Sequence, residues 1–184
     1  MVFIDIVFPG NNEEEFLKVA EKLGIKLCFV YLEKEYLQKK DTYEFTCMYN
    51  SPIKNTFIIS DNIKRENFEN PTINLIFNLE KSPRSDFVHQ RDSGFNHILA
   101  KICRDKNKII GFNFNLILNS DKKERARILG RMMQNVKLCR KYKVKIYIGS
   151  FARDPHELRS FFELRSFGAC IGMNPGEIKE LELK

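Results

Sequence analysis

Short apolar runs alternate with helix-periodic segments along the whole chain, and this alternation leaves few architectures open. Strand signals fall near residues 2–8, 26–31, 45–49, 56–60, 73–78, 109–116 and 144–149. Most are separated by enough residues for a crossover helix, which is what parallel neighbours require. Runs such as Thr56-Phe57-Ile58-Ile59 and Ile73-Asn74-Leu75-Ile76-Phe77 are close to continuously apolar, the pattern of strands buried on both faces. The expectation is therefore an α/β fold with a mainly parallel sheet of about seven strands, either a small barrel or an open doubly wound sheet. With 184 residues, 43% of them hydrophobic, the chain suits one domain spanning 1–184 around one core.

Helix signals are clear at three places. Near 12–23, Phe16, Val19, Ala20 and Leu23 share a face, Glu13, Glu14 and Glu15 complement the helix dipole, and Gly24 ends the run. Near 94–105, Phe95, Ile98, Leu99, Ile102 and Cys103 follow helical spacing, with Ser93 as the expected N-cap. A longer helix near 121–142 is expected to bury Leu129, Met132, Met133, Val136 and Cys139 and to display Lys122, Lys123, Arg125, Arg127, Arg131, Lys137, Arg140 and Lys141.

Charge is distributed unevenly. Residues 1–90 hold 11 Lys and Arg against 14 Asp and Glu, whereas residues 91–184 hold 20 against 10, so the first half is at −3 and the second at +10. Concentrated positive potential favours a polyanion such as RNA, through counterion release; an acidic protein partner or a solvated basic surface are the competing readings. The opening Met1-Val2-Phe3-Ile4-Asp5 has no basic lead and no cleavage site and is expected to be a buried strand, and no run is long enough to span a membrane. Cys28, Cys47, Cys103, Cys139 and Cys170 are odd in number and never in a Cys-x-x-Cys pair. They are expected to be reduced core thiols in a cytoplasmic protein.

Catalytic signals are sparse. His89, His97 and His156 form no His-x-His or Glu-x-x-His pattern, and no nucleophile elbow, P-loop or dinucleotide fingerprint occurs. A metal-dependent phosphoesterase would have to gather Asp5, His89 and His156 from distant segments. Asp5 alone is better explained as a hydrogen-bonded strand carboxylate. Two denser segments invite a nucleic-acid reading. In His89–Lys101, Arg91 precedes a helix N-terminus suited to phosphate, and Asn96 and Lys101 are expected on its outer face; the alternative is an Arg91–Asp92 turn ion pair with Ser93 capping. In Ser150–Ser160, Arg153 and Arg159, with Arg165 beyond, are candidate phosphate contacts or surface ion pairs. Lys123, Arg127 and Arg131 add a basic helix face to the candidate set.

The order of Phe3-Ile4-Asp5-Ile6, of Arg91-Asp92-Ser93-Gly94-Phe95-Asn96-His97-Ile98-Leu99-Ala100-Lys101, of Ile110-Gly111-Phe112, of Leu158-Arg159-Ser160 and of Gly172-Met173 before a last short helix resembles the archaeal ribonuclease P protein component 3 family. The resemblance implies a barrel related to the triosephosphate isomerase and polymerase-and-histidinol-phosphatase folds. It implies a non-catalytic subunit of the enzyme that removes the 5′ leader of precursor tRNA, in which RNA, using magnesium, is the catalyst. Related phosphoesterase barrels carry a His-x-His pair near the first strand; this chain has Phe3-Ile4-Asp5 there. The resemblance further implies partnership with protein component 2, two copies of each, and with ribonuclease P RNA and its other proteins. Arg91, Asn96, Lys101 and Arg159 fall on the family's motif positions.

Overall fold

The computed structural model describes residues 3–31, 42–45, 48, 49, 51, 52, 58–61 and 63–178. Its elements in chain order are β1 (Ile4–Val7), α1 (Glu13–Leu23), β2 (Lys26–Tyr31), β3 (Thr42–Phe45), β4 (Met48–Tyr49), β5 (Ser51–Pro52), β6 (Ile58–Ser60), α2 (Arg65–Glu69), β7 (Ile73–Phe77), α3 (His97–Asp105), β8 (Ile109–Asn113), α4 (Phe114–Leu118), α5 (Lys122–Tyr142), β9 (Lys145–Gly149) and α6 (Phe161–Cys170). Single 3-10 turns occupy Leu79–Lys81 and Pro155–Glu157. Parts of the expected strands at 2–8, 45–49 and 56–60, together with Cys47, lie outside the described residues.

Seven strands form one sheet in the order β1-β2-β3-β6-β7-β8-β9, with β4 and β5 pairing apart. β1–β2, β6–β7, β7–β8 and β8–β9 are parallel. β3 runs antiparallel to both β2 and β6, and two such reversals restore the direction, so every other strand of this sheet ends on the same side. The sheet is mainly parallel, as expected, with β3 the reversed member. Its outer strands meet beyond their ends: Val7 bridges Ala152 in parallel, and the Phe8 N–H donates to the Ala152 carbonyl at 2.8 Å.

Asp5 is the tie between those edges. Its Oδ1 accepts from the backbone N–H groups of Ile6 (2.9 Å) and Ser150 (2.8 Å) and from the Tyr147 hydroxyl (3.3 Å). The carboxylate is fully buried, and this geometry is the structural use expected of it from sequence. Inside the sheet, Phe77 and Phe151 stack at 4.6 Å with planes 7° apart, and Tyr147 meets Phe151 edge-on. Gly111 makes room for them: a Cβ there would lie 2.9 Å from Leu75 and 3.0 Å from the Phe151 ring.

Four local expectations are corrected. The strand expected over 109–116 stops at Asn113, because its Oδ1 accepts the Leu116 N–H at 3.1 Å and starts α4. On α3, Ile98 is 49% exposed and Ala100 faces the core in its place. On α5 the buried face is Ile128, Arg131, Met132, Asn135, Val136 and Cys139, whereas Met133 is exposed. That face is turned from the purely apolar one because the segment after β7 packs on α5 through polar side chains. Cys28, Cys103 and Cys139 are buried free thiols as expected, but Cys170 on α6 is exposed.

Candidate nucleic-acid interface

The turns following β1, β7, β8 and β9 all lie at the end of the sheet where the parallel strands finish, the usual place for function in such folds. Arg153 and Arg159 sit there. The Arg153 guanidinium lies 5.8 Å from the Phe8 ring centre and has no hydrogen bond or ion pair among the described residues. Arg159 lies 5.5 Å over the Phe114 ring, and its Nη1 donates to the carbonyls of His156 (3.0 Å) and Leu158 (2.6 Å). Its Nε and Nη2 donate to no acceptor among the described residues. Each arginine is thus held by an aromatic face while donors remain for a phosphate oxygen.

Segment 78–96 carries the other signals and has little regular structure of its own. It is pinned from α5. Arg131, fully buried, donates through Nε to Asp86 Oδ1 (2.8 Å), through Nη1 to the carbonyls of Glu80 (2.8 Å) and Ser82 (2.7 Å), and through Nη2 to that of Arg84. Gln134 exchanges two hydrogen bonds with the Arg91 backbone, at 3.0 and 2.8 Å. Asn135 donates to Glu80 Oε1 at 2.7 Å and accepts from the Ser93 hydroxyl at 2.8 Å. Arg131 is therefore corrected from a surface phosphate contact to an internal clamp, since none of its surface is open to a ligand.

Arg91 is half-exposed and pairs with Asp86 at 3.1 Å, not with Asp92. It packs across α5, where a Cβ at Gly130 would lie 2.9 Å from its Nε. Burial raises the Asp86 carboxyl, but the Asp92 N–H and the two arginines outweigh that effect and hold it below the usual carboxylate range. Ser93 does not cap α3. Asn96 does, its Oδ1 accepting from Ile98 (2.9 Å) and Leu99 (3.1 Å). Ser93 directly precedes the apolar run, but Phe95 is buried in the core ahead of the helix, which starts at His97. Asn96→Ala is expected to lower stability by about 1 kcal/mol in thermal melts, with Asn96→Asp retaining most of it. Equal losses in both variants would show that capping is not what Asn96 contributes.

Among the remaining candidates, Lys101 and Lys123 are exposed, on α3 and on the first turn of α5. Arg127 is partly buried and pairs with Glu124 at 3.1 Å. Arg165 is exposed on α6. The phosphoesterase ligand set is not assembled: Asp5 is in the core, His89 and His156 are exposed on separate loops, and no group of three or more His, Cys, Asp or Glu side chains that could hold a metal occurs among the described residues. No helix among them is long and apolar enough to cross a membrane. Sequence reasoning missed a further cationic feature, an open groove of about 740 Å³ between the ends of β6 and β7 and the start of α3, lined by Lys64, Arg65, Lys81 and Arg84 among others.

These features define an α/β protein with a mainly parallel sheet and exposed arginines and lysines on the loops at its strand ends. The chain belongs to the family described as RNase P subunit p30, whose model matches residues 59–181. It is 35% identical over 78 residues to ribonuclease P protein component 3 of Methanocaldococcus jannaschii, covering 42% of this chain and 34% of that protein. It is 36% identical over 95 residues to the namesake of Thermococcus kodakarensis, covering 52% and 43%. It is 30% identical over 118 residues to that of Methanosarcina mazei, covering 64% and 46%. The matched stretches thus span between a third and a half of these relatives' own lengths. By structure, the chain is similar to one in a cryo-EM structure of archaeal ribonuclease P with mature tRNA, with a TM-score of 0.58 and 21% identity over 92% of this chain and 72% of that one.

Proposed function

We propose that this chain is a non-catalytic protein subunit of ribonuclease P that supports the catalytic RNA in removing the 5′ leader of precursor tRNA. The observation that carries the reading is the family match over residues 59–181, which includes most of the basic half of the chain. In this reading the sheet is a TIM-barrel-like shell whose edges are drawn together at Val7 and Ala152, and its loops serve as a docking surface. Arg153 and Arg159, with Arg91, Lys101 and Lys123 elsewhere in the basic half, contact the phosphate backbone of ribonuclease P RNA. Magnesium serves the RNA and no metal is assigned to this chain. Protein component 2 is the proposed direct partner, with two copies of each in a cytoplasmic complex, and precursor tRNA is engaged indirectly.

Single-turnover cleavage of precursor tRNA by the cognate RNA and component 2, with and without this chain at moderate magnesium, tests the role. Acceleration only in its presence is the expected result; no acceleration with a folded partner would sink the reading. The contacts are tested separately by salt titration. Arg153→Ala/Arg159→Ala is expected to weaken binding to the RNA and to lower the slope of log affinity against log salt by about two, one for each phosphate left without its arginine. An unchanged slope would remove both residues from the interface.

A further inference from the structure

The groove at the ends of β6 and β7 is not used by the reading above. One wall is Asp61, Ile63, Lys64 and Arg65; the second runs from Asn78 to Arg84; the third is Gly94, Asn96, Ile98 and Leu99 at the start of α3. Four cations and one carboxylate line it, and of the cations Arg65 is paired with Glu69 at 2.7 Å. The Lys81 ammonium is exposed and has no hydrogen bond or ion pair among the described residues. Arg84 has only a loose pairing with Asp92, at 3.7 Å, and its side chain is 65% exposed.

Two further observations make this a built site more than a solvated patch. The wall carrying Lys81 and Arg84 is held from behind, because Arg131 binds the carbonyls of Glu80, Ser82 and Arg84 inside the protein. The opposite walls are pressed together at Gly94, which has φ +80° and would bring a Cβ within 3.1 Å of Ile63. Asn96 gives both its Oδ1 interactions to the amides of α3, so its carboxamide N–H groups remain as donors with no acceptor among the described residues. The positive end of the α3 dipole faces the same space.

The lining also points to the ligand. Among the described residues it contains no aromatic ring on which a nucleobase would stack. Its cations and amide donors suit phosphate and ribose oxygens instead, which is sequence-independent recognition. We propose that this groove, with Lys64, Arg65, Lys81, Arg84 and the Asn96 carboxamide, is a phosphodiester-backbone site for structured RNA, additional to the Arg153–Arg159 contacts. The proposal rests on the ribonuclease P reading for the identity of its ligand.

The experiment compares four full-length proteins in binding to the cognate ribonuclease P RNA across a potassium chloride series: wild type, Lys81→Glu/Arg84→Glu, the milder Lys81→Gln/Arg84→Gln, and Lys18→Glu/Lys22→Glu on α1. The last makes the same change in net charge on exposed residues remote in sequence from the groove. Expected are a loss of at least about tenfold in affinity for the groove reversal, a salt slope lower by about two in the Gln variant, and much smaller changes in the α1 control. Groove variants that bind with wild-type affinity and slope overturn the site. So does a loss as large in the α1 control, which would mark an effect of net charge alone. Unchanged RNA binding with lost pairing to component 2 overturns it in favour of protein docking. A wild-type chain that binds no RNA overturns the ribonuclease P reading itself, a different failure from any of these.

Discussion

Arg131→Ala is expected to destabilise the protein by about 3–5 kcal/mol, the usual cost of removing one partner from a buried, hydrogen-bonded ion pair. The side chain has no exposed surface and satisfies one carboxylate and three carbonyls at once. Without it the carbonyls of Glu80, Ser82 and Arg84 lose these donors, and among the described residues Asp86 retains Arg91 and the Asp92 N–H. Arg131→Lys should recover little, because one ammonium cannot reproduce a planar fork that reaches four acceptors. Urea denaturation measures the loss, and amide exchange across 79–95 locates it. A change under about 1 kcal/mol, outside the range for breaking such a pair, would show that the segment is held by other contacts.

The second large effect concerns pH. Burial pushes the Glu80 carboxyl up from 4.5 to about 7, although the Asn135 side chain, its own backbone N–H and Arg131 pull the other way. Burial likewise raises Asp5 from 3.8 to about 6 against the hydrogen bonds from Ser150, Ile6 and Tyr147. Glu80 Oε2 and Asp5 Oδ2 each lack a partner among the described residues. A carboxyl whose pKa is raised by folding binds its proton more tightly in the native state. Its contribution is thus full below the unfolded value and is lost as pH rises through the folded one. Between pH 4.5 and about 7 the protein should therefore lose stability, by on the order of 3 kcal/mol from Glu80 alone. Glu80→Gln keeps the oxygen that accepts from Asn135 and removes the desolvated charge. It should flatten this part of the stability profile and be more stable than wild type at pH 8. A profile as steep in the variant as in wild type would exclude Glu80 as the titrating group.

Much of the fold was legible in the sequence because it depends on local pattern. Apolar runs gave the strands, and the i, i+3, i+4 spacing of Phe16, Ala20 and Leu23 gave α1, with Gly24 in the left-handed conformation at its end. The reversed β3 was not legible, since an apolar run does not state its direction. The candidate site was legible in part. Arg153 and Arg159 stand out in sequence and lie at the strand ends, the first exposed and the second partly so, whereas Asn96, exposed as expected, also takes the capping role that the spacing gives to Ser93.

The sequence alone determined the periodicities, the basic second half and the family resemblance, all of which are properties of residues close together along the chain. The tertiary structure decided which cations face a ligand. Arg127 and Arg131 are one turn apart on α5, yet the first is partly exposed and the second is sealed inside. The groove likewise needs three segments separated by as many as thirty-eight positions, from Asp61 to Leu99. A guanidinium can be buried only where distant carbonyls and a carboxylate replace its water, and a groove exists only where distant walls meet. Neither condition is written in any local stretch of residues.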